Sequence, residues 1–229
     1  MIRQRLGQHF LHSQSVAKNL VDAASITKKD SVLEIGTGRG VLVPLLCEKA
    51  GKVVSIESDS SLYNMAKEKF SRISNLTLVY GDGFKTEVGF SIFVSNLPYS
   101  QSRDAMEWLI QKNYSHSVIM VQKEFAEKLL EKNTKAVSVL ANYAVNIEKI
   151  MDVRKNNFSP PPKVDSVVLK LTRKNTVPKE LIQVVNKLFS YKRKQLSNIF
   201  KQFGKHIESD KRLEDLSGDE IISLAKQLL

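Results

Sequence analysis

Residues 31–40 read Ser31-Val32-Leu33-Glu34-Ile35-Gly36-Thr37-Gly38-Arg39-Gly40, an apolar strand that runs directly into a loop with glycine at every second position. Glycine lets the backbone turn tightly and approach a ligand, and the helix that follows offers free N–H groups at its start. A dinucleotide-binding loop has the spacing G-x-G-x-x-G, which this loop lacks. The stretch therefore predicts a ligand site of another kind at a strand end; a purely structural glycine turn is the alternative.

The rest of the first 170 residues alternates short apolar runs with segments of helical periodicity, which is typical of a doubly wound α/β sheet. Consecutive parallel strands need a crossover of helix length, and residues 60–70 and 122–131 place apolar side chains on one helix face. The rigid stretch 158–162, with three prolines, favours an antiparallel edge hairpin at the end of the sheet. We expect strands near residues 31–36, 52–57, 75–80, 90–96, 117–121, 144–151 and 164–172.

The strand pattern stops after Pro178, and from Lys179 onward apolar residues recur at helical spacing. A segment of this length is too small for a robust core of its own. The sequence thus predicts a Rossmann-like domain over residues 1–176 and a small helical appendage over residues 177–229.

The composition limits the partners and the compartment. The chain has 229 residues and a formal charge of +11, which favours a polyanion such as nucleic acid over the alternative of a merely solvated basic surface. A single cysteine, Cys47, excludes an intramolecular disulfide and favours a reducing, cytoplasmic compartment. No window has the ~20 apolar residues of a membrane span, and we expect no metal site because no zinc-ligand spacing occurs.

Two acidic residues follow the next predicted strands. Glu57 ends the second strand, about twenty positions beyond the glycine loop, where a carboxylate can accept both hydroxyl protons of a ribose. Asp82 lies between Gly81 and Gly83 after the third strand and can accept a hydrogen bond from an adenine amine. A surface glutamate and an ordinary Asp-Gly turn are the alternatives. With Glu34 before it, the glycine loop resembles motif I of Rossmann-like S-adenosylmethionine methyltransferases.

The tetrapeptide Asn96-Leu97-Pro98-Tyr99 ends the fourth strand and carries the predicted chemistry. An exocyclic base amine is a poor nucleophile because its lone pair is delocalised into the ring. If the Asn96 side-chain oxygen and a backbone carbonyl at Leu97 or Pro98 accept its two N–H groups, the lone pair is directed at the methyl donor. Tyr99 offers a ring on which the base can stack. An ordinary strand-ending turn is the alternative.

The chain as a whole resembles the KsgA family of rRNA adenine N6,N6-dimethyltransferases. Six ordered motifs carry the resemblance: Leu6-Gly7-Gln8-His9-Phe10-Leu11, Glu34 to Gly40, Asn96 to Tyr99, Val121-Gln122-Lys123-Glu124-Phe125-Ala126, Phe158 to Val168, and Phe189 to Leu196. Two positions depart from the family pattern. His9 replaces the usual asparagine, which leaves a backbone role there, and Thr37 replaces the usual proline, which is expected to loosen the loop.

The resemblance implies S-adenosylmethionine as the cofactor, released as S-adenosylhomocysteine. The residues that it places against the cofactor are His9, Leu11, Gly36, Gly38, Glu57, Asp82 and Asn96. It also implies that Tyr99 and Phe158 flank the target base. The catalytic residues are then Asn96, Leu97, Pro98 and Tyr99.

The resemblance further implies a substrate: two adjacent adenines in a hairpin loop near the 3′ end of small-subunit rRNA, dimethylated in an assembling ribosomal particle by a monomeric cytoplasmic enzyme. A loop adenine is poorly stacked, which lowers the cost of extruding it. The basic residues expected to contact RNA phosphates are Arg3, Arg5, Arg154, Lys155, Lys192, Arg193 and Lys194. For the cluster at 192–194, a solvated helix face is the alternative.

Two other functions remain open. An Erm-type enzyme would methylate large-subunit rRNA; the Leu-Gly-Gln opening and the stretch from Phe158 to Val168 favour the KsgA type. A methyltransferase-fold factor that binds nucleic acid without essential catalysis is disfavoured by the intact cofactor and target-amine motifs. A DNA adenine methyltransferase is disfavoured because the chain has no sizeable target-recognition insertion.

Overall fold

The computed structural model describes residues 9–131 and 135–229. The strands are β1 (Phe10–Leu11), β2 (Ser31–Ile35), β3 (Lys52–Glu57), β4 (Leu76–Tyr80), β5 (Ile92–Asn96), β6 (His116–Gln122), β7 (Val145–Val153), β8 (Phe158–Ser159) and β9 (Ser166–Arg173). The helices are α1 (Gln14–Ala23), α2 (Val43–Lys49), α3 (Ser60–Lys69), α4 (Ser102–Leu109), α5 (Lys123–Leu130), α6 (Ala136–Ala144), α7 (Lys179–Ser190), α8 (Leu196–Lys201) and α9 (Gly218–Gln227). Single 3-10 turns follow β4, β5 and β7 and precede α9.

The main sheet has the strand order β4-β3-β2-β5-β6-β9-β7. The pairs from β4 through β6 are parallel, and β9 is antiparallel to β6. The predicted mostly parallel α/β sheet with an antiparallel element near one edge is confirmed, and every predicted strand lies within two residues of its expected bounds. Because β2 has β3 on one side and β5 on the other, the chain order reverses there, and such switch points are where open α/β sheets bind ligands.

A second, two-stranded sheet joins β1 to β8 in antiparallel register, with Phe10 opposite Ser159 and Leu11 opposite Phe158. The His12 backbone N–H extends this pairing by donating to the Asn157 carbonyl at 3.0 Å. The sequence did not predict either strand, because two residues are too few to show a period. The pairing attaches the segment before α1 to the proline-rich stretch before β9.

Residues 9–105, Asn113–Ala126 and Ile147–Thr172 form one compact unit around the sheet. Helix α3 begins at a side-chain cap, because the Asp59 carboxylate accepts the N–H groups of Ser61 and Leu62 at 2.9 and 3.1 Å. On one face of the sheet, α1 and α2 pack their apolar sides against the central strands. The residues buried there include Leu20, Val21, Val43, Leu46, Val32, Val53, Ile92, Val94 and Val118. This packing holds the ends of the strands in fixed positions.

Met106–Lys112, the described part of Glu127–Asn146, and Arg173–Leu229 form a second compact unit. In it α6, α7 and α9 pack on one another, and α7 buries Leu181, Val185 and Leu188 at helical spacing. The predicted helices after residue 179 are present, whereas the domain boundary at residue 176 stays a prediction. In the part of the chain that the structure describes, no helix is both long enough and apolar enough to cross a membrane.

Candidate active site

The glycine loop leaves β2 at the switch point of the sheet and turns back through three residues with positive φ. The φ angles are 89° at Gly36, 56° at Gly38 and 71° at Gly40, a region that side chains disfavour. The Gly36 N–H donates to the Ile56 carbonyl at 2.8 Å, which fixes the loop against the end of β3. A Cβ on Gly40 would lie 2.3 Å from the Phe70 ring, so the loop also packs tightly against the Phe70 side chain.

Space remains open next to Gly36, on the side of the loop that faces the end of β5. Apart from its chain neighbours Ile35 and Thr37, the only described atom within 4 Å of the position that a Cβ on Gly36 would occupy is the Asn96 carbonyl oxygen, at 4.0 Å. The same construction at Gly38 meets the Phe10 ring at 3.5 Å. The loop therefore lies between the end of β5 and strand β1, with a backbone that a ligand can approach closely.

Glu57 holds the loop from the side. One carboxylate oxygen accepts the Gly38 N–H at 2.8 Å, and the other accepts the Asp59 N–H at 2.9 Å. The residue is 6% exposed, and each oxygen keeps a second lone pair for a ligand hydroxyl. Glu57 is thus in position both to shape the loop and to bind a ribose.

A buried series of side-chain hydrogen bonds connects the loop to strands β2 and β3. The Ser55 hydroxyl donates to Glu34 at 2.5 Å and lies 2.6 Å from the Thr37 hydroxyl, and all three side chains are buried. Glu34 and Ser55 are register partners on β2 and β3. Thr37, expected to loosen the loop, instead ties it to the sheet through its side chain.

Burial raises the pKa of Glu34 to about 8, against the opposing effect of the Ser55 hydrogen bond and with a further increase from the Glu57 charge. The carboxyl group is therefore protonated at neutral pH in the folded protein. Since the unfolded group titrates near 4.5, the folded state loses stability as the pH rises from about 4.5 to about 8.

We predict that Glu34→Gln removes this pH-dependent loss of folding stability, because the amide resembles the neutral carboxylic acid. The stability difference between Glu34→Gln and the unaltered chain should shift in favour of the variant by about 1.4 kcal/mol per pH unit between pH 5 and pH 8. Urea unfolding at several pH values measures it, with the exposed Glu48→Gln as the control. If the free energies of unfolding of Glu34→Gln and of the unaltered chain instead change in parallel with pH, Glu34 is ionised when folded.

Asp82 begins the 3-10 turn after β4, and its carboxylate accepts the Phe84 N–H at 3.1 Å. Beside it, the Gly81 N–H donates to the Glu57 carbonyl at 2.9 Å, which brings the ends of β3 and β4 together. The Asp82 side chain is 47% exposed and is paired only loosely, with Lys85 at 3.5 Å. It is free to accept a further hydrogen bond.

Asn96 ends β5 with an unsatisfied acceptor. Its side-chain oxygen Oδ1 is buried, and no donor among residues 9–131 and 135–229 reaches it. Buried polar atoms are nearly always hydrogen-bonded, so an orphaned oxygen at a strand end points to a ligand donor.

The backbone after Asn96 offers a second acceptor. The Leu97 N–H is bonded to the Met120 carbonyl at 3.2 Å, and the Pro98 carbonyl accepts the Gln101 N–H at 2.9 Å. The Leu97 carbonyl accepts no hydrogen bond from the described residues. Of the two carbonyls that the sequence analysis named, the Leu97 carbonyl is therefore the one available to accept a hydrogen bond from a ligand.

The aromatic residues predicted to flank the base differ in exposure. The Tyr99 ring is half-buried, and its hydroxyl lies 2.6 Å from the Ser166 hydroxyl. Burial raises the pKa of Tyr99, with the Ser166 hydrogen bond opposing, so the phenol stays neutral. Phe158 is only 2% exposed and meets Tyr99 edge-on, with centroids 6.4 Å apart.

The remaining predicted site residues are spread more widely. Leu11 is buried in the β1–β8 pair, and His9 precedes that pair, next to Tyr99. Arg154 and Lys155 are exposed beyond β7 in the sheet unit. Lys192, Arg193 and Lys194 follow α7 in the helical unit, where Lys192 is partly buried and the other two are exposed. Arg3 and Arg5 lie outside the described residues.

Sequence reasoning missed two residues that support the site, Ser55 and Ser166. Ser55 lies two positions before Glu57 and so on the same face of β3, which was a usable signal. The contact of Ser166 with Tyr99 depends on the antiparallel pairing of β9 with β6, which the sequence indicates only in outline. Among the described residues, no group of three or more His, Cys, Asp or Glu side chains gathers to hold a metal.

A glycine loop at the switch point of a mostly parallel sheet, with an antiparallel strand beside β6, defines a Rossmann-like methyltransferase. A solved dimethyladenosine transferase from Plasmodium falciparum has this architecture, with a TM-score of 0.80 and 28% identity over 94% of this chain and 96% of that one. The structure of the 23S rRNA methyltransferase ErmE shares the fold, with a TM-score of 0.70 at 22% identity over 96% of this chain and 99% of that one.

The chain belongs to the ribosomal RNA adenine dimethylase family, whose model matches residues 1–228, and this confirms the resemblance found in its motifs. A ribosomal RNA small subunit methyltransferase A of Thermotoga maritima is 33% identical over 97% of this chain and 84% of its own length. An rRNA adenine N-6-methyltransferase of Bacillus licheniformis is 34% identical, but over 75% of this chain and 62% of its own length.

Proposed function

We propose that this protein transfers methyl groups from S-adenosylmethionine to the N6 amines of two adjacent adenines in the 3′-terminal hairpin loop of small-subunit rRNA. It would act as a monomer in the cytoplasm on an assembling small ribosomal subunit. The observation that carries the proposal is the buried, unpaired Asn96 Oδ1 beside the open space above Gly36.

The residues fit the cofactor. Gly36 leaves room for it, with Gly38 next to that space; Glu57 has lone pairs for its ribose, and Asp82 has an acceptor for its adenine. The backbone of His9 and Leu11 would border it on the β1 side, with Asn96 at its reactive end. When bound, S-adenosylmethionine supplies an electrophilic methyl group.

The end of β5 orients the target amine. Asn96 Oδ1 accepts one N6–H group and the Leu97 carbonyl accepts the other, so that the nitrogen lone pair points away from both oxygens. The same oxygens stabilise the positive charge that develops on nitrogen, and the proton then leaves to water. Pro98 fixes its own φ and restricts Leu97 to an extended backbone, which keeps the acceptors in place before the base arrives.

The small subunit is favoured over the large subunit by the extent of the similarity. The small-subunit methyltransferase of Thermotoga maritima matches 97% of this chain, whereas the Bacillus licheniformis N-6-methyltransferase matches 75%. The exposed basic residues Arg154, Lys155, Arg193 and Lys194, together with the partly exposed Lys192, would contact phosphates around the folded RNA. Intact cofactor and target-amine positions disfavour a factor that binds RNA without catalysis.

A methyl-transfer assay with isolated ribosomal components tests the proposal. We expect label from the cofactor to appear as N6,N6-dimethyladenosine in unmodified small subunits or their rRNA, and none in free adenosine or large subunits. Label confined to large-subunit rRNA would show an Erm-type activity instead. RNA binding without any label would support a non-catalytic factor.

A further inference from the structure

The glycine loop, residues 36–40, is anchored to the sheet by one of its own side chains. Thr37 is 3% exposed, and its hydroxyl lies 2.6 Å from the hydroxyl of Ser55, which is fully buried on β3. The Ser55 hydroxyl donates its single proton to Glu34 at 2.5 Å. The Thr37 hydroxyl must therefore be the donor to Ser55. These two consecutive hydrogen bonds form the Thr37–Ser55–Glu34 link, which joins the loop to β3 and β2.

Thr37 lies between the two loop glycines nearest to the predicted cofactor. Gly36 borders the open space next to the end of β5, and the Gly38 N–H is held by Glu57 at 2.8 Å. Glycine has the most backbone freedom of all residues, and both of these glycines adopt a positive φ. A side chain that is fixed in the sheet at the residue between them restricts the peptide groups on either side. The link therefore limits the conformations that the loop can adopt when no ligand is bound.

The need to satisfy buried polar atoms does not by itself account for the link. Ser117 on β6 is also fully buried, and its hydroxyl has no hydrogen-bond partner among residues 9–131 and 135–229. A lone buried serine is thus tolerated in this sheet. The Ser55 hydroxyl differs because it connects a residue of the loop with a residue of β2. This arrangement fits a role in the shape of the loop.

We propose that Thr37 is a positioning residue for cofactor binding: through the Thr37–Ser55–Glu34 link it holds the glycine loop in its binding conformation before S-adenosylmethionine arrives. The inference rests on the proposed function, because it assumes that cofactor. Preorganisation of a loop reduces the cost of ordering it on binding, so loss of the link should weaken cofactor affinity. The acceptors that orient the target amine lie at the end of β5. The transfer rate at saturating cofactor should therefore change little.

The test compares Thr37→Val, which keeps the branched shape and removes the hydroxyl, with Thr37→Ser, which keeps the hydroxyl. Ser117→Ala is the matched control for loss of a buried hydroxyl elsewhere in the sheet. Three quantities are measured: the calorimetric Kd for S-adenosylmethionine, kcat at saturating cofactor, and amide hydrogen exchange of residues 36–40 in the free protein. The thermal midpoint of unfolding shows that each variant is folded at the assay temperature.

We expect Thr37→Val to raise the cofactor Kd about 5- to 10-fold, the factor that one hydrogen bond contributes, and to speed exchange of the loop amides by a similar factor. Its kcat should stay within about twofold, and Thr37→Ser and Ser117→Ala should match the unaltered protein within about twofold in all three quantities. A hydroxyl with a merely structural role would lower the thermal midpoint and leave the Kd and the loop exchange unchanged.

A double-mutant cycle with Ser55→Ala tests whether the link acts as one unit. We expect the double variant, Thr37→Val with Ser55→Ala, to raise the Kd no further than Ser55→Ala alone, because either substitution already breaks the link. An unchanged Kd in Thr37→Val, or factors that multiply in the double variant, would overturn the inference. The comparison of Thr37→Val with Thr37→Ser decides the question even if Ser55→Ala does not fold. Failure of the unaltered protein to bind S-adenosylmethionine would instead refute the proposed function, so the two failures are distinguishable.

Discussion

Asn96→Ala should lower methyl transfer at least about 100-fold without lowering the stability of the fold. The side-chain oxygen is buried and accepts no hydrogen bond from the described residues, so its removal takes away an unsatisfied group. Loss of such a group costs no folding energy. Transfer fails because the target amine loses the acceptor that orients its lone pair.

Three measurements separate this outcome from general damage: single-turnover methyl transfer, the calorimetric Kd for S-adenosylmethionine, and the thermal midpoint of unfolding. We expect the cofactor Kd to stay nearly constant and the midpoint to stay equal or rise. The exposed Asn64→Ala on α3 is the matched control and should change none of the three. Full activity in Asn96→Ala would refute the proposed orientation of the amine.

Glu57→Ala should weaken S-adenosylmethionine binding by about 10- to 100-fold. The carboxylate is expected to accept ribose hydroxyls, and hydrogen bonds to a charged group contribute about 1.5–3 kcal/mol each. The substitution also releases the Gly38 N–H, which Glu57 holds at 2.8 Å, so the glycine loop loses part of its preorganisation. Both effects lower cofactor affinity.

Calorimetric titration with S-adenosylmethionine measures the change, with the exposed Glu48→Ala as the control for loss of one negative charge. A circular dichroism spectrum confirms that the sheet is intact in both variants. At saturating cofactor, Glu57→Ala should recover much of its transfer rate, because the residue does not touch the target amine. An unchanged Kd would remove Glu57 from the cofactor site.

The sequence was sufficient to predict the strands of the main sheet because these strands are long and apolar. Strands β2, β3 and β5 are buried on both faces and bounded by glycine and polar turns, so their ends were predicted within two residues. Once parallel strands are placed, their carboxyl ends must lie at one edge. For that reason Gly36, Glu57, Asp82 and Asn96 were predicted together as one site.

What the sequence could not supply depends on contacts between distant segments. The β1–β8 pair joins residues about 150 positions apart through two residues each, and no local period indicates it. The positions of His9 beside Tyr99 and of Pro160 beside His9 follow from that pair. Similarly, the chain from Glu34 through Ser55 to Thr37 depends on the register of β2 with β3, which spacing alone does not determine.

The most direct test of the central claim is the mapping of methylated adenines in rRNA from cells with the protein, without it, and with Asn96→Ala in its place. We predict two adjacent N6,N6-dimethyladenines in the 3′-terminal hairpin loop of small-subunit rRNA in the first case and unmodified adenines in the other two. The same pair of dimethylated adenines in cells that lack the protein would contradict the account, as would a modification confined to large-subunit rRNA.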